Sequence, residues 1–208
     1  MEYTSLRERQ KERRRTKIYQ VAIRLFKERG FHQTTATDIA EQAHVSRGTF
    51  FNYYPYKESV LLDYGVLIME ALQDDLIKEL ESGKDPMEIL RAMWKRLAEE
   101  TQKERDLFPP LAYEFLNPDP QRAQTAYNSV PLARLVRLVL RNLQAQGKIR
   151  DDISIERISN IFADNYLMTA LRWAAYKIDQ PLEVEMEKTL AFLLEGTLKT
   201  SVALTPTP

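Results

Sequence analysis

The chain has 208 residues, 44% hydrophobic and 29% charged, with 30 Lys and Arg against 30 Asp and Glu, enough for one or two compact globular units. It contains no cysteine, which excludes disulfides, thiolate zinc sites and a cysteine nucleophile. No apolar run nears the roughly 20 residues that span a bilayer, and the basic N-terminus MEYTSLRERQKERRR has no apolar stretch behind it; a cytoplasmic protein with neither membrane span nor secretory signal is expected.

The balanced charge hides an asymmetry. Residues 1–60 carry 12 Lys and Arg against 7 Asp and Glu, and the remainder carries 18 against 23. One basic end suggests that only that end meets a polyanion. The first helix is expected over residues 7–29, where Ile18, Val21, Ala22, Leu25 and Phe26 form one apolar stripe and Gly30 stands at a helix end. Its front, with Arg7, Arg9, Lys11, Arg13, Arg14, Arg15 and Lys17, reads equally as a solvated helix start or as an arm along phosphates. Phe31 is expected in the core of the small N-terminal unit.

Thr35-Ala36-Thr37-Asp38 has the form of a capping box opening a short second helix, with Ile39, Ala40 and Ala43 inward. Ala43-His44-Val45-Ser46 reads as a tight turn, and Ser46 as the N-cap of a third helix that ends near Tyr53 or Tyr54. Phe50 and Tyr54 are expected inward; Arg47, Gly48, Thr49, Asn52 and Tyr53 are expected outward. Two capped helix starts, at Thr35 and Ser46, aim free backbone N–H groups at phosphates. Arg47 suits guanine, Asn52 suits adenine, Thr49 suits a thymine methyl, and Gly48 allows close approach. Phe51 can give apolar contact, and Lys57 can hold a phosphate. The expected DNA contacts are therefore Thr35, Thr37, Ser46, Arg47, Gly48, Thr49, Phe51, Asn52, Tyr53 and Lys57.

The run TTATDIAEQAHVSRGTFFNYYPYKESVL, preceded by AIRLFKERGF, resembles the DNA-binding domain of the TetR family of bacterial transcriptional regulators over about residues 10–62. Three positions depart from the family pattern. His44 stands where Gly is usual. Phe51 stands where a Tyr usually donates its hydroxyl to phosphate, which leaves more of that work to Tyr53. Tyr56 stands where a small polar residue usually caps the fourth helix. The histidines His32 and His44 lack metal-ligand spacing, and neither a metal nor a cofactor is expected.

Beyond Tyr56 a long helix is expected, with Val60, Leu61, Tyr64, Leu67, Ile68, Leu72, Leu76 and Leu80 at helical spacing and an end at Ser82-Gly83. Asp85-Pro86 opens the next, with Ile89, Leu90, Met93, Trp94 and Leu97 apolar. The run LFPPLAYEFL, residues 107–116, is expected to be short and irregular at its start because of its two prolines. Asn117-Pro118-Asp119-Pro120 is a second breaker. A strong helix is expected from Pro131 to about Gln146, with Arg134, Arg137 and Arg141 on one basic face: a solvated face, partners of acidic helices, or a grip on an effector's phosphates. Ser154 is the expected cap of a helix to about Ile178, and Leu182 to about Lys199 the last. These two expose more apolar surface than one stripe needs, and the resemblance implies that they pair with a second subunit.

The expected fold is all-α. Residues 1–55 form an N-terminal helix-turn-helix DNA-binding domain, residues 56–200 a C-terminal helical effector-binding and dimerisation domain, and residues 201–208 a disordered tail. The expected function, which the resemblance implies, is a homodimeric repressor, not an enzyme, that leaves a pseudo-palindromic operator when a small apolar or amphipathic effector binds. Fatty acyl-CoA is one candidate; a drug-like cation, which Asp164 or Glu114 could answer, is another that the resemblance implies. Trp94, Phe108, Tyr113, Phe115, Tyr166 and Met168, with Asn165 as a polar handle, are the candidate effector residues. A ligand-free DNA-architectural protein and a helical lipid-binding protein are the alternatives.

Overall fold

A computed structural model describes residues 6–198. Through them run ten α-helices: α1 (Leu6–Arg29), α2 (Ala36–Ala43), α3 (Arg47–Tyr53), α4 (Ser59–Glu81), α5 (Pro86–Lys103), α6 (Phe108–Phe115), α7 (Pro120–Ser129), α8 (Leu132–Ala145), α9 (Ile155–Ala175) and α10 (Leu182–Thr197), with a 3-10 turn at Arg105–Leu107. Among the described residues the one β pairing is an isolated antiparallel bridge between Ile149 and Leu198. The all-α expectation holds. The tail expected over residues 201–208 lies outside the described residues.

The contacts divide the chain into two compact units. Unit 1 takes the chain up to Leu67 together with Pro109–Val130; unit 2 takes Ile68–Phe108 together with the chain from Pro131 onward.

Unit 1 is built on the apolar stripe of α1. Ile18, Ala22, Leu25 and Phe26 are buried, with Ile39, Ala40 and Ala43 of α2, Phe50 of α3, and Tyr54, Val60 and Leu61. Phe31 closes this core against Phe26, with ring centroids 4.9 Å apart. Gly30, at φ 85°, ends α1 in the left-handed region. The two prolines of LFPPLAYEFL fall in the first turn of α6, where a missing N–H costs nothing. Asp119 caps α7, its carboxylate accepting from the Gln121 N–H at 2.9 Å. The end of α7 lies so close to α4 that a Cβ on Gly65 would stand 2.7 Å from Val130 Cγ2.

In unit 2, α5, α8, α9 and α10 pack on one another. Their buried faces include Ile89, Leu90 and Trp94 of α5, Leu135, Val139 and Leu143 of α8, Phe162 and Tyr166 of α9, and Met186 and Leu190 of α10. Capping follows the sequence: Asp85 accepts from the Met87 N–H, and Ser154 from the Arg157 N–H. The Arg105 guanidinium lies 4.1 Å from the Trp173 ring centroid and donates to the carbonyls of Trp173 and Ile178, closing the C-terminal end of α9 with a cation.

Candidate nucleic-acid interface and effector-facing residues

The start of α2 is a complete capping box. Thr35 Oγ1 accepts from the Asp38 N–H at 3.1 Å, and Asp38 Oδ2 accepts from the Thr35 N–H at 2.8 Å and from its hydroxyl at 2.6 Å. These bonds, the hydroxyl's first, hold the Asp38 carboxyl below the usual carboxylate range. Thr35 and Thr37 are both exposed.

The turn after α2 is left-handed at His44, with φ 56° and ψ 47°. Its N–H donates to the Glu41 carbonyl at 3.0 Å and that of Val45 to the Ala40 carbonyl at 2.9 Å. The last carbonyls of α2 are thus satisfied without glycine. Ser46 then caps α3, accepting from the Thr49 N–H at 3.0 Å, and its hydroxyl lies 2.8 Å from that of Thr49.

Helix α3 has seven residues and one buried anchor, Phe50. Arg47, Gly48, Phe51 and Asn52 are exposed, while Thr49 and Tyr53 are half-buried. The Arg47 guanidinium sits 5.5 Å from the centroid of Phe51, whose edge meets Phe50. This narrows the positions that the arginine samples. The outward set expected from sequence is thus displayed together on one short helix.

Lys57 is placed differently. Its ammonium donates to the carbonyls of Phe31 at 2.7 Å and Thr34 at 2.9 Å, and lies 4.1 Å from the Phe31 ring centroid. Burial lowers its pKa from the ordinary lysine value. It ties the α1–α2 link to the segment that leads into α4.

The sequence reading missed the group that fixes the end of α3. The Tyr54 hydroxyl donates to Asp63 Oδ2 at 2.7 Å, and Arg15 donates to both oxygens of Asp63, at 2.9 and 2.7 Å, while stacking on Tyr54. Burial, then the Asp63 charge and hydrogen bond, raise the phenol's pKa above its ordinary value. The one available signal was the buried Tyr itself, since a buried phenol needs an acceptor. Also unforeseen was Arg122 of α7. It donates from Nε at 3.0 Å and from Nη2 to buried Glu114, stands 3.7 Å from Glu58, and covers the Tyr56 ring at 3.7 Å.

The seven effector candidates fall in two sets. In unit 2, Trp94 and Tyr166 are buried edge to face, with centroids 5.3 Å apart, and the Tyr166 hydroxyl pairs with that of Thr101 at 2.8 Å. Trp94 Nε1 is buried with no hydrogen-bond partner among the described residues. Phe108 is half-buried. Asn165 and Met168 are exposed on α9, and the Asn165 amide donates to the Ile161 carbonyl at 2.8 Å. In unit 1, Tyr113 is exposed, while Phe115 meets the Tyr127 ring at 5.2 Å. No helix among the described residues is long and apolar enough to cross a membrane.

Similarity to known proteins covers both units. Residues 18–64 match the profile of bacterial regulatory proteins, tetR family, and residues 66–196 match that of TetR/AcrR family transcriptional repressors, C-terminal domain. The chain is 49% identical to Thermus thermophilus FadR, a TetR family transcriptional repressor whose crystal structure is a complex with lauroyl-CoA. That similarity covers 93% of this chain and 98% of the other, with a TM-score of 0.84. The fold also matches FadR from Bacillus subtilis, in complex with stearoyl-CoA, at 17% identity over 87% of this chain and 98% of that one, with a TM-score of 0.68. The HTH-type transcriptional regulator YerO of Bacillus subtilis (strain 168) is 24% identical over 188 residues, which are 88% of this chain; the chain spans 62% of that relative's length.

Proposed function

The chain belongs to the TetR/AcrR family of transcriptional repressors, and from that premise we propose that it is a homodimeric cytoplasmic repressor released from a pseudo-palindromic operator by a fatty acyl-CoA. The observation that carries the DNA part is the pair of side-chain-capped helix starts at Thr35 and Ser46, the second opening the helix that exposes Arg47, Gly48 and Asn52. Such starts offer backbone N–H groups to phosphates while the outward side chains read base edges. Two copies would place their α3 helices in successive major grooves about 34 Å apart. Exposed Ile161 and Met168 on α9 and Phe192 on α10 support pairing of two copies through these helices. No catalytic role is assigned.

The effector part rests on the 49% identity to a repressor bound to lauroyl-CoA. The proposed contacts are Trp94, Phe108 and Tyr166 in unit 2. The unpartnered Trp94 Nε1 is a buried donor suited to an acyl carbonyl. An effector shifts operator affinity only by binding the non-DNA-binding state more tightly.

The test is a titration of an operator, selected by the protein from randomised duplex, with and without lauroyl-CoA at physiological salt. Sequence-selective binding that weakens with lauroyl-CoA is expected, and Arg47→Ala with Asn52→Ala should abolish the selectivity. Binding without sequence preference would refute the repressor reading. Selective binding indifferent to acyl-CoA would refute only the effector.

A further inference from the structure

The first three turns of α1 add no side chain to the buried core of the described residues. From Leu6 to Lys17 no residue is buried, and the first buried side chain of the helix is Ile18. The segment holds seven Lys and Arg against two Glu.

Its cations are ordered by the helix. Arg7, Lys11, Arg14, Arg15 and Ile18 follow the i, i+4, i+7, i+8, i+11 spacing of one face, and Ala22, Leu25 and Phe26 continue it. The face that packs the core in the second half of α1 is thus a cationic stripe in the first half, where none of the described residues is buried. Arg9, Arg13 and Lys17 form a second stripe at i, i+4, i+8. The root of the segment is fixed. Arg15 grips Asp63 with two hydrogen bonds, and Asp63 also holds the hydroxyl of Tyr54, the C-cap residue of α3. The direction of the basic segment is therefore set by the same carboxylate that sets the end of the recognition helix.

We infer that Leu6–Lys17 is a basic helical arm that docks along the sugar–phosphate backbone of the DNA beside the site read by α3. This rests on the DNA-binding reading above. The occupant follows from charge: a row of Arg7, Lys11 and Arg14 on one helix face suits a polyanion, and the arm is rooted in the unit that carries the recognition helix. Guanidinium and ammonium groups neutralise phosphates and release counterions, so the arm supplies affinity that depends on salt and not on sequence.

The experiment replaces Arg7, Lys11 and Arg14 with Gln in the full chain. Binding is measured to the selected operator and to a scrambled duplex from 50 to 200 mM salt. Gln keeps helix propensity, and unchanged circular dichroism melting establishes that the variant folds. Neutralising the exposed Arg91, Lys95 and Arg172 of unit 2 controls for total charge. The arm variant should bind both duplexes at least about tenfold more weakly at physiological salt. Its log affinity against log salt should be shallower by about 1 or more, of a maximum of about 2.7 per arm at 0.9 per phosphate. The operator-to-scrambled ratio should stay within about threefold, and Arg7→Lys with Arg14→Lys should bind as the wild type does. A smaller change in slope, an equal loss in the unit 2 control, or a shifted ratio overturns the arm. A wild-type protein that does not distinguish the two duplexes refutes the repressor reading instead, and the slope on scrambled DNA still decides the arm.

Discussion

Arg122→Met tests whether α6 and α7 are locked to the turn that follows the recognition helix. Glu114 is 2% exposed, and both its oxygens take a donor from Arg122. Removing the guanidinium leaves a carboxylate out of water without its cation, which costs about 3–5 kcal/mol at neutral pH. Glu114→Gln combined with Arg122→Met should recover most of that loss, because the double variant leaves no charge out of water. The assay is urea unfolding followed by far-UV circular dichroism, with tryptophan fluorescence as an internal reference, because Trp94 and Trp173 both belong to unit 2. A loss below about 1 kcal/mol at pH 7, or no recovery in the double variant, would refute the latch.

Phe51→Tyr places a hydroxyl on an exposed position of α3 and should tighten DNA binding across sequences by about 1 kcal/mol; unchanged affinity in a gel-shift titration would mean that α3 does not face the phosphates as assigned. Gly65→Ala drives a methyl against Val130 and should destabilise by about 1–3 kcal/mol despite better helix propensity, with recovery when Val130→Ala is added, as read by urea unfolding. Lys57→Gln should cost about 1–3 kcal/mol of unit 1 stability, because two carbonyls lose their cationic donor. The salt dependence of its DNA binding should stay within experimental error of the wild type, and a slope shallower by about 1 would return Lys57 to the phosphate.

The parts of the site legible in sequence are those whose physics is local. The capping box at Thr35 and Asp38, the cap at Ser46, and the left-handed His44 each need only neighbours within four residues, and each is formed. LFPPLAYEFL, expected to be short and irregular at its start, is short but forms a regular helix from Phe108, because both prolines fall in the first turn. What escaped was the long-range polar wiring. Arg15 and Asp63 are 48 residues apart, and Lys57 and Phe31 are 26 apart. Nothing in the spacing of a lysine reveals that a loop's carbonyls will claim it. Helix α9 shows a different limit. It is apolar on more than one face, so its pattern does not fix which side turns inward. Tyr166 is buried, whereas Met168 and Asn165 are exposed.

A recognition helix of seven residues cannot hold its own shape, since isolated helices below about 12 residues are marginal in water. Its geometry is imposed from three sides: Phe50 in the core, the Ser46 cap at its start, and the Tyr54–Asp63–Arg15 group at its end. The turn beyond it is held again, by Lys57 on the α1–α2 link and by Arg122 across Tyr56 and Glu58. These anchors draw on α1, α4 and α7, so the direction of Arg47 and Asn52 depends on elements distant in sequence. The chain passes between the two units within α4, at the start of α6, and between Val130 and Pro131. A change in unit 2 that is carried along the chain enters unit 1 at those three places. Two of them bound the α6–α7 segment, which contains Glu114 and Arg122, and the third lies in the helix that supplies Asp63 and Gly65. Asp63, Glu114 and Arg122 therefore sit on the segments through which a change carried along the chain from unit 2 enters unit 1. This makes loss of the Arg122 contact a change that should alter operator affinity as well as stability.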